Sequence, residues 1–410
     1  MRRANLTSDS GNRVQAWRAT LAGLCATLVG IGLARFAYTP LIPALIAAGW
    51  FAPAPAAYLG AANLAGYLAG ALLARRMAAH GSAAAVLRTM MAVATAAFFA
   101  CAAPLPFAWF FAWRFAAGVA GGGLMVLAAP TVLAHVPAAR RGLAGGAIFT
   151  GVGLGIAASG TLVPLLLRAG LSATWCGLGA LALVLSALAS GGWPDARDGP
   201  VAAPAAAPAR SRPLPALRAL YVEYALNAAG LVPHMVFLVD FVARGLGRGL
   251  EVGAQHWVLF GVGAVVGPMV TGYMADRIGF AGALRVAFVV QAAAIALPSL
   301  STGPVALSVS SLVAGAFVPG IVPLVLGRVL ELAPADEPGR RAAWSLATAA
   351  FALGQAAAAY GFSFLFARAG DGYAMLFGLG AGALVLALAI DVAAAALGDR
   401  TRSAEAKWRA

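Results

Sequence analysis

The sequence predicts an all-α membrane protein with twelve transmembrane helices in two six-helix halves. Composition is the first reason. Of 410 residues, 62% are hydrophobic and only 10% charged, with a mean hydropathy of +0.87. Soluble domains carry roughly 25% charged residues, so this deficit excludes an ordinary soluble enzyme. The second reason is spacing: twelve apolar runs, each near the ~20 residues that cross the hydrocarbon core, follow one another along the chain. The third is the placement of basic charge, which alternates with those runs as a membrane topology requires.

The runs lie at 18–46, 56–74, 85–104, 107–134, 143–167 and 172–191, and then at 217–242, 253–275, 282–302, 304–332, 342–367 and 372–396. They divide the chain into an N-terminal half (1–191), a linker (192–216), a C-terminal half (217–397) and a tail (398–410). The linker is rich in Pro and Ala and holds Arg197, Arg210 and Arg212, which favours an extended, solvated connection. The N-terminus is polar up to Arg18, and the first run is too long and too interrupted for a signal-peptide core. It reads as a retained first helix.

With the N-terminus in the cytoplasm, 22 of the 28 basic residues fall in cytoplasmic segments and four, Arg168, Arg244, Arg248 and Arg368, in outer loops. Arg35 and Arg114 lie inside spans. Shifting the register by one helix would destroy this asymmetry, so it supports an even number of spans with both termini inside, in a bacterial cytoplasmic membrane. The net charge of +14 is thereby explained without nucleic acid. The expected partners are the lipid bilayer and a small-molecule substrate.

Arg35 is the charge around which the first half is read. A charge in the bilayer core costs at least about 2.5–3.5 kcal/mol on insertion scales, so it faces a bundle interior or a water-filled cavity. Pro40 and Pro43 follow it in the same run, and each removes an amide donor from the helical ladder. The other polar groups at depth are Tyr38, Asn63 and Tyr67 in the first half, and Tyr224, Asn227, His234, Gln291, Gln355 and Tyr360 in the second. Some are expected to contact a solute and the rest to stitch helices together, at about 0.6 kcal/mol each. Glu223, near the start of its span, reads as an exposed carboxylate. Asp240 precedes Arg244 by four residues and either pairs with it or takes part in transport. His234 either titrates near neutral pH and couples a proton, or acts as a neutral hydrogen-bonding residue.

Other chemistries are excluded by what the chain lacks. Lys407 is the only lysine, so there is no Walker A lysine through which ATP could drive the protein. The glycine runs Gly151-x-Gly153-x-Gly155 and Gly261-x-Gly263 follow no strand and read as packing faces. Cys25, Cys101 and Cys176 each lie in an apolar run and are expected to be buried, with neither disulfide nor metal. Neither catalytic motif nor cofactor is expected, and the chain does not read as an enzyme.

The halves are similar at an offset near 200: Arg140-Arg141 recurs as Arg340-Arg341, and Arg35 falls opposite His234. Duplicated six-helix units with a solute site between them are one standard transporter architecture. Gly272, Asp276, Arg277 and Gly279 resemble the major facilitator superfamily loop motif G-x-x-x-D-R-x-G. More narrowly, the stretches Arg35–Pro43, Gly151–Gly155 and Gly230–Phe237 look like its YbfB/YjiJ branch, transporters whose solutes are poorly defined.

The resemblance implies alternating access by rocking of two halves, helices 1, 4, 7 and 10 lining the cavity, and action as a monomer. It makes Gly272–Gly279 a loop that stabilises the outward-facing state, although the matching loop Arg75–Gly81 lacks the aspartate. Arg114 with Gly118 and Gly122 resembles the superfamily's fourth helix, which aims Arg114 inward; otherwise Arg114 binds backbone carbonyls and orients its helix. Gly60, Gly66 and Gly70, the glycines of 145–160, Gly261, Gly263 and Gly267, and the alanines of span 11 belong to helices that meet across the halves in the superfamily. The expected function is secondary active transport of a small organic solute. Two deep arginines with no deep carboxylate in the first half point to an anionic solute, with His234 or Asp240 as proton-coupling residue. An exporter of amphipathic compounds and a non-transporting sensor are the alternatives; the missing Gly-Pro pair in span 5 weighs against multidrug efflux.

Overall fold

The computed structural model describes residues 2–79, 82–136, 141–194, 215–333, 337–369 and 372–409. Most of the expected linker, together with Arg140, His80 and Gly81, lies outside the described residues. Among the described residues there is no strand, and eleven helices are long and apolar enough to cross a membrane. One of these, α10 (Gly249–Leu300), runs for 52 residues and is broken at Gly279, with φ 72° and ψ 165°. Only glycine occupies that backbone region without strain. Counting both arms of α10, there are twelve spans among the described residues, as the apolar runs predict.

The first span is discontinuous. Helix α1 (Arg2–Thr27) passes into a π-helical stretch, Leu28–Leu33, then a turn, and only then α2 (Tyr38–Ala47). The wider ladder is seen in the Ala34 N–H bonded to the Val29 carbonyl at 2.9 Å. Pro40 cannot donate to the Phe36 carbonyl, which instead accepts from Thr39 N–H at 3.3 Å. The seventh span breaks in the same way, and again at a proline. After α8 (Pro215–Val232) come π-helical Pro233–Phe237, the single turn α9 (Leu238–Asp240) and π-helical Phe241–Gly245. Missing amides and widened turns of this kind are tolerated in a membrane helix where protein re-satisfies the freed groups.

The remaining helices are α3 (Pro53–Ala79), α4 (Ala83–Ala100), α5 (Phe107–Leu133), α6 (Arg141–Leu167), α7 (Leu171–Ser190), α11 (Pro304–Leu332), α12 (Glu337–Ala369) and α13 (Tyr373–Arg409). The chain forms two compact units. The first is Met1–Pro204 with Val239–Val265; the second is Ala205–Leu238 with Val266–Ala410.

In the first unit α3 lies directly along α5. A Cβ added at Gly66 or Gly70 would overlap the Phe115 or Val119 carbonyl, and one at Gly118 or Gly122 the Asn63 or Tyr67 carbonyl. Small residues at intervals of four let two backbones touch. Gly66 and Gly70, expected to serve contact across the halves, are therefore spent inside this unit. Two α6 glycines meet the first arm of α10, Gly160 on Val258 and Gly153 on Val265, while Gly151 and Gly155 pack on Thr27 and Gly32 of span 1; Trp257 Nε1–H donates to Ser159 Oγ at 3.0 Å.

In the second unit α8 is the central element, packed by α11, α12 and α13. Gly354 of α12 abuts the Ala225 carbonyl, and Gly230 abuts Gly380 and Leu384 of α13. This centrality overturns the expectation for Glu223: it is only 3% exposed. It lies within electrostatic reach of Asp391, Arg328 and Arg285, and Arg285 Nε is ion-paired to Asp391. The cysteine expectation also needs one correction. Cys25 and Cys101 are buried, but Cys176 is exposed, because an apolar residue in a membrane helix is as well placed against lipid as against protein.

Candidate functional site

Five expected residues come together in the first unit, around the break in span 1. Arg35 is half-buried in the turn 34–37 that follows the π-helical stretch. Its guanidinium carbon lies 4.9 Å from the Phe36 ring centre and 5.2 Å from that of Tyr67. Aromatic faces stabilise a cation by about 0.5–2 kcal/mol. Tyr67, 7% exposed, stands on α3.

Arg114 is arranged differently. It is 3% exposed, its Nη1–H donates to the Ala34 carbonyl at 2.6 Å, and its guanidinium carbon sits 4.2 Å over the Tyr38 ring. The acceptor belongs to the turn between α1 and α2, so the arginine of α5 ties down the broken part of span 1. Its Nε is buried with no hydrogen-bond partner. Tyr38 itself donates its hydroxyl to the Ala56 carbonyl at 2.8 Å. Asn63 Nδ2–H donates to the Arg114 carbonyl at 3.0 Å, while its Oδ1 is buried and unpartnered. Tyr38, Asn63 and Arg114 thus form one framework, with Arg35 and Tyr67 at its more open side.

The second unit collects Asn227, His234 and Gln355, all at most 2% exposed. Asn227 Nδ2–H donates to Gln291 Oε1 at 2.8 Å. Gln355 Nε2–H donates to Met235 Sδ at 3.6 Å. His234 Nε2 and Ser310 Oγ are 2.7 Å apart, and Ser310 Oγ donates its own hydrogen to the Ala294 carbonyl at 2.6 Å. The serine oxygen must therefore accept from the histidine, which fixes the Nε2–H tautomer and leaves Nδ1 a bare acceptor. That Nδ1 is buried without a partner, as are Asn227 Oδ1 and Gln355 Oε1. The ring also stands edge-on to Phe377, centroids 5.0 Å apart. Sequence reasoning missed Ser310, since a serine in an apolar span carries no signal of its own.

Asp240 falls in the first unit, 1% exposed, and pairs with Arg244 through two bonds of 2.6 and 3.1 Å. The loop residues are elsewhere. Asp276 and Arg277 are exposed near the end of the first arm of α10, Arg277 lies 4.8 Å from the Tyr273 ring centre, and Gly272 has open space around its Cα.

The family model described as "Uncharacterised MFS-type transporter YbfB" matches residues 27–392. The chain belongs to this family of major facilitator transporters. No curated protein matches it by sequence. Among solved structures, it is similar to a bacterial homolog of the human lysosomal transporter Spinster in an inward-facing, unoccupied conformation. The identity is 16% and the TM-score 0.63, over 93% of this chain and 95% of that one. It is also similar to a D-xylose-proton symporter, at 15% identity and a TM-score of 0.65, over 91% and 96%. These likenesses carry the fold. The YbfB-type chain is thus a multi-pass membrane transporter.

Proposed function

We propose that the protein moves a small organic anion, and that Arg35 is the side chain that holds the anionic group. The supporting observation is the contrast between its two deep arginines. Arg114 is fully buried, with its charge committed to a backbone carbonyl and to Tyr38. Arg35 is less deeply buried as a residue, although its Nε is enclosed, and the rings of Phe36 and Tyr67 flank its guanidinium. Between residues 10 and 194 the sequence has neither Asp nor Glu, and Asp240, the buried carboxylate that joins this unit, is paired with Arg244. Arg114 is then a positioning residue that holds the turn carrying Arg35. The proposed orientation keeps both termini in the cytoplasm, on the distribution of basic residues.

Proton coupling is assigned to Asp240 in preference to His234. Protonating Asp240 would release its pair with Arg244, a local change that can be read elsewhere in the span. A second proton on His234 would instead place a charge on a buried Nδ1 with no acceptor beside it, so His234 acts as a neutral hydrogen-bonding group.

Thermal stabilisation of the purified protein by organic anions, cations and neutral solutes tests the reading. A ligand at 100 times its Kd raises the stability of the native state by about 2.7 kcal/mol. An anion should stabilise the wild type, and Arg35→Ala should lose that effect while remaining folded. Stabilisation by amphipathic cations or neutral compounds alone would replace the proposal with the exporter reading. Uptake that survives collapse of the proton gradient would remove Asp240 from the mechanism.

A further inference from the structure

A groove of about 470 Å³ runs along the outer face of the first unit between α4 and α7. Arg88 and Ser190 stand at one end and Phe99 at the other, with Leu183 on the wall. Its middle is bridged by Thr95 and Ser186, whose hydroxyls are 3.2 Å apart, one donating to the other. What they present to the groove is therefore mostly methyl and methylene surface. Arg88 is exposed. Its Nε–H donates to the Ser190 carbonyl at 3.0 Å, which closes that end of α7 and leaves the terminal amino groups of the guanidinium for another acceptor.

We propose that this groove binds one anionic glycerophospholipid of the surrounding bilayer, with an acyl chain between α4 and α7 and the phosphate on Arg88. Two quantities favour this occupant. From Arg88 to Phe99 the α4 axis rises about 16 Å at ~1.5 Å per residue. One leaflet of the hydrocarbon core is about 15 Å thick, half of ~30 Å, so an acyl chain whose headgroup lies level with Arg88 reaches Phe99. The charge also fits, since basic pockets between membrane helices at a headgroup level select anionic lipids. Apart from the paired Thr95 and Ser186 hydroxyls, the shared opening of the two helices is polar only at the Arg88 end. A soluble anion would gain nothing from the apolar remainder, and a neutral acyl chain would gain nothing from the arginine.

The test is lipid retention by the full-length protein in detergent, equilibrated with mixed micelles of phosphatidylglycerol and phosphatidylcholine and read by native mass spectrometry. The wild type should retain one phosphatidylglycerol about five-fold more than phosphatidylcholine, the ratio that ~1 kcal/mol per basic side chain at a membrane surface gives. Arg88→Ala should abolish the preference, and Arg88→Lys should keep most of it. Ala92→Trp, at an exposed groove position, should abolish retention of both lipids while leaving the melting temperature within a few degrees. Equal retention of the two lipids by the wild type, an unchanged preference in Arg88→Ala, or full retention in Ala92→Trp would overturn the proposal.

Discussion

Replacing Arg114 with leucine separates the part an arginine plays in folding from the part it plays in recognition. The substitution removes a charge-assisted hydrogen bond to the Ala34 carbonyl, about 1.5–3 kcal/mol, and the stacking on Tyr38, about 0.5–2 kcal/mol. Removing a buried charge could offset this loss, but the ~2.5–3.5 kcal/mol insertion cost is incurred before the helices associate, so an inserted but unfolded chain carries it too. The net loss is then about 2–5 kcal/mol. For a unit of this size ~1 kcal/mol moves the melting temperature by about 2–4 °C, so Arg114→Leu should melt roughly 4–20 °C below the wild type. A thermal melt in one detergent, repeated for Tyr38→Leu and for the double variant, checks it. The cycle isolates the pairwise energy from the Tyr38 hydroxyl bond to Ala56. If the single variant melts with the wild type, or the two losses add with no coupling, Arg114 does not hold the broken span and the division of labour with Arg35 fails.

Other consequences are simpler to state. Ser310→Ala leaves the His234 Nε2–H buried without an acceptor and should cost about 1–3 kcal/mol, a loss that His234→Phe in the same background should partly recover by melting analysis. Gly279→Ala forces a side chain into a backbone region essentially reserved for glycine, at about 1–3 kcal/mol; lower apparent stability with unchanged insertion is the expected readout. Gly118→Val drives α3 from α5 at the Asn63 carbonyl and should lose at least about 1–3 kcal/mol, the range for overpacking with repair. A monodisperse Gly118→Val protein melting like the wild type would contradict the close approach.

The span positions were legible because hydrocarbon thickness sets run length, and the break in span 1 because Pro40 and Pro43 announce missing donors. Arg35 and Arg114 stood out as charges where none is cheap. Their different burial did not, since it depends on which face of each helix meets α3 and on a turn whose carbonyl happens to be open. The partners of Gly66 and Gly70 were misread for a related reason. Lipid is as apolar as protein, so a membrane helix has no hydropathy contrast to say which neighbour its small face serves. The same blindness hid the exposure of Cys176 and the burial of Glu223. For Glu223, position near a helix start suggested solvent, whereas three helices packed around α8 decide its surroundings.

The makeup of the first compact unit bears on how the protein is made. That unit is incomplete until Val239–Val265 joins it, and this segment carries Trp257, whose indole is bonded to Ser159. A ribosome that has released only the first six spans has therefore not yet supplied the last wall of the unit those spans belong to. Gly153 and Gly160 of α6 must wait in the bilayer, facing lipid or a chaperone, until the eighth span is inserted. A gene cut in the linker would yield two fragments neither of which owns a complete unit, so activity should return only when both are synthesised in the same cell.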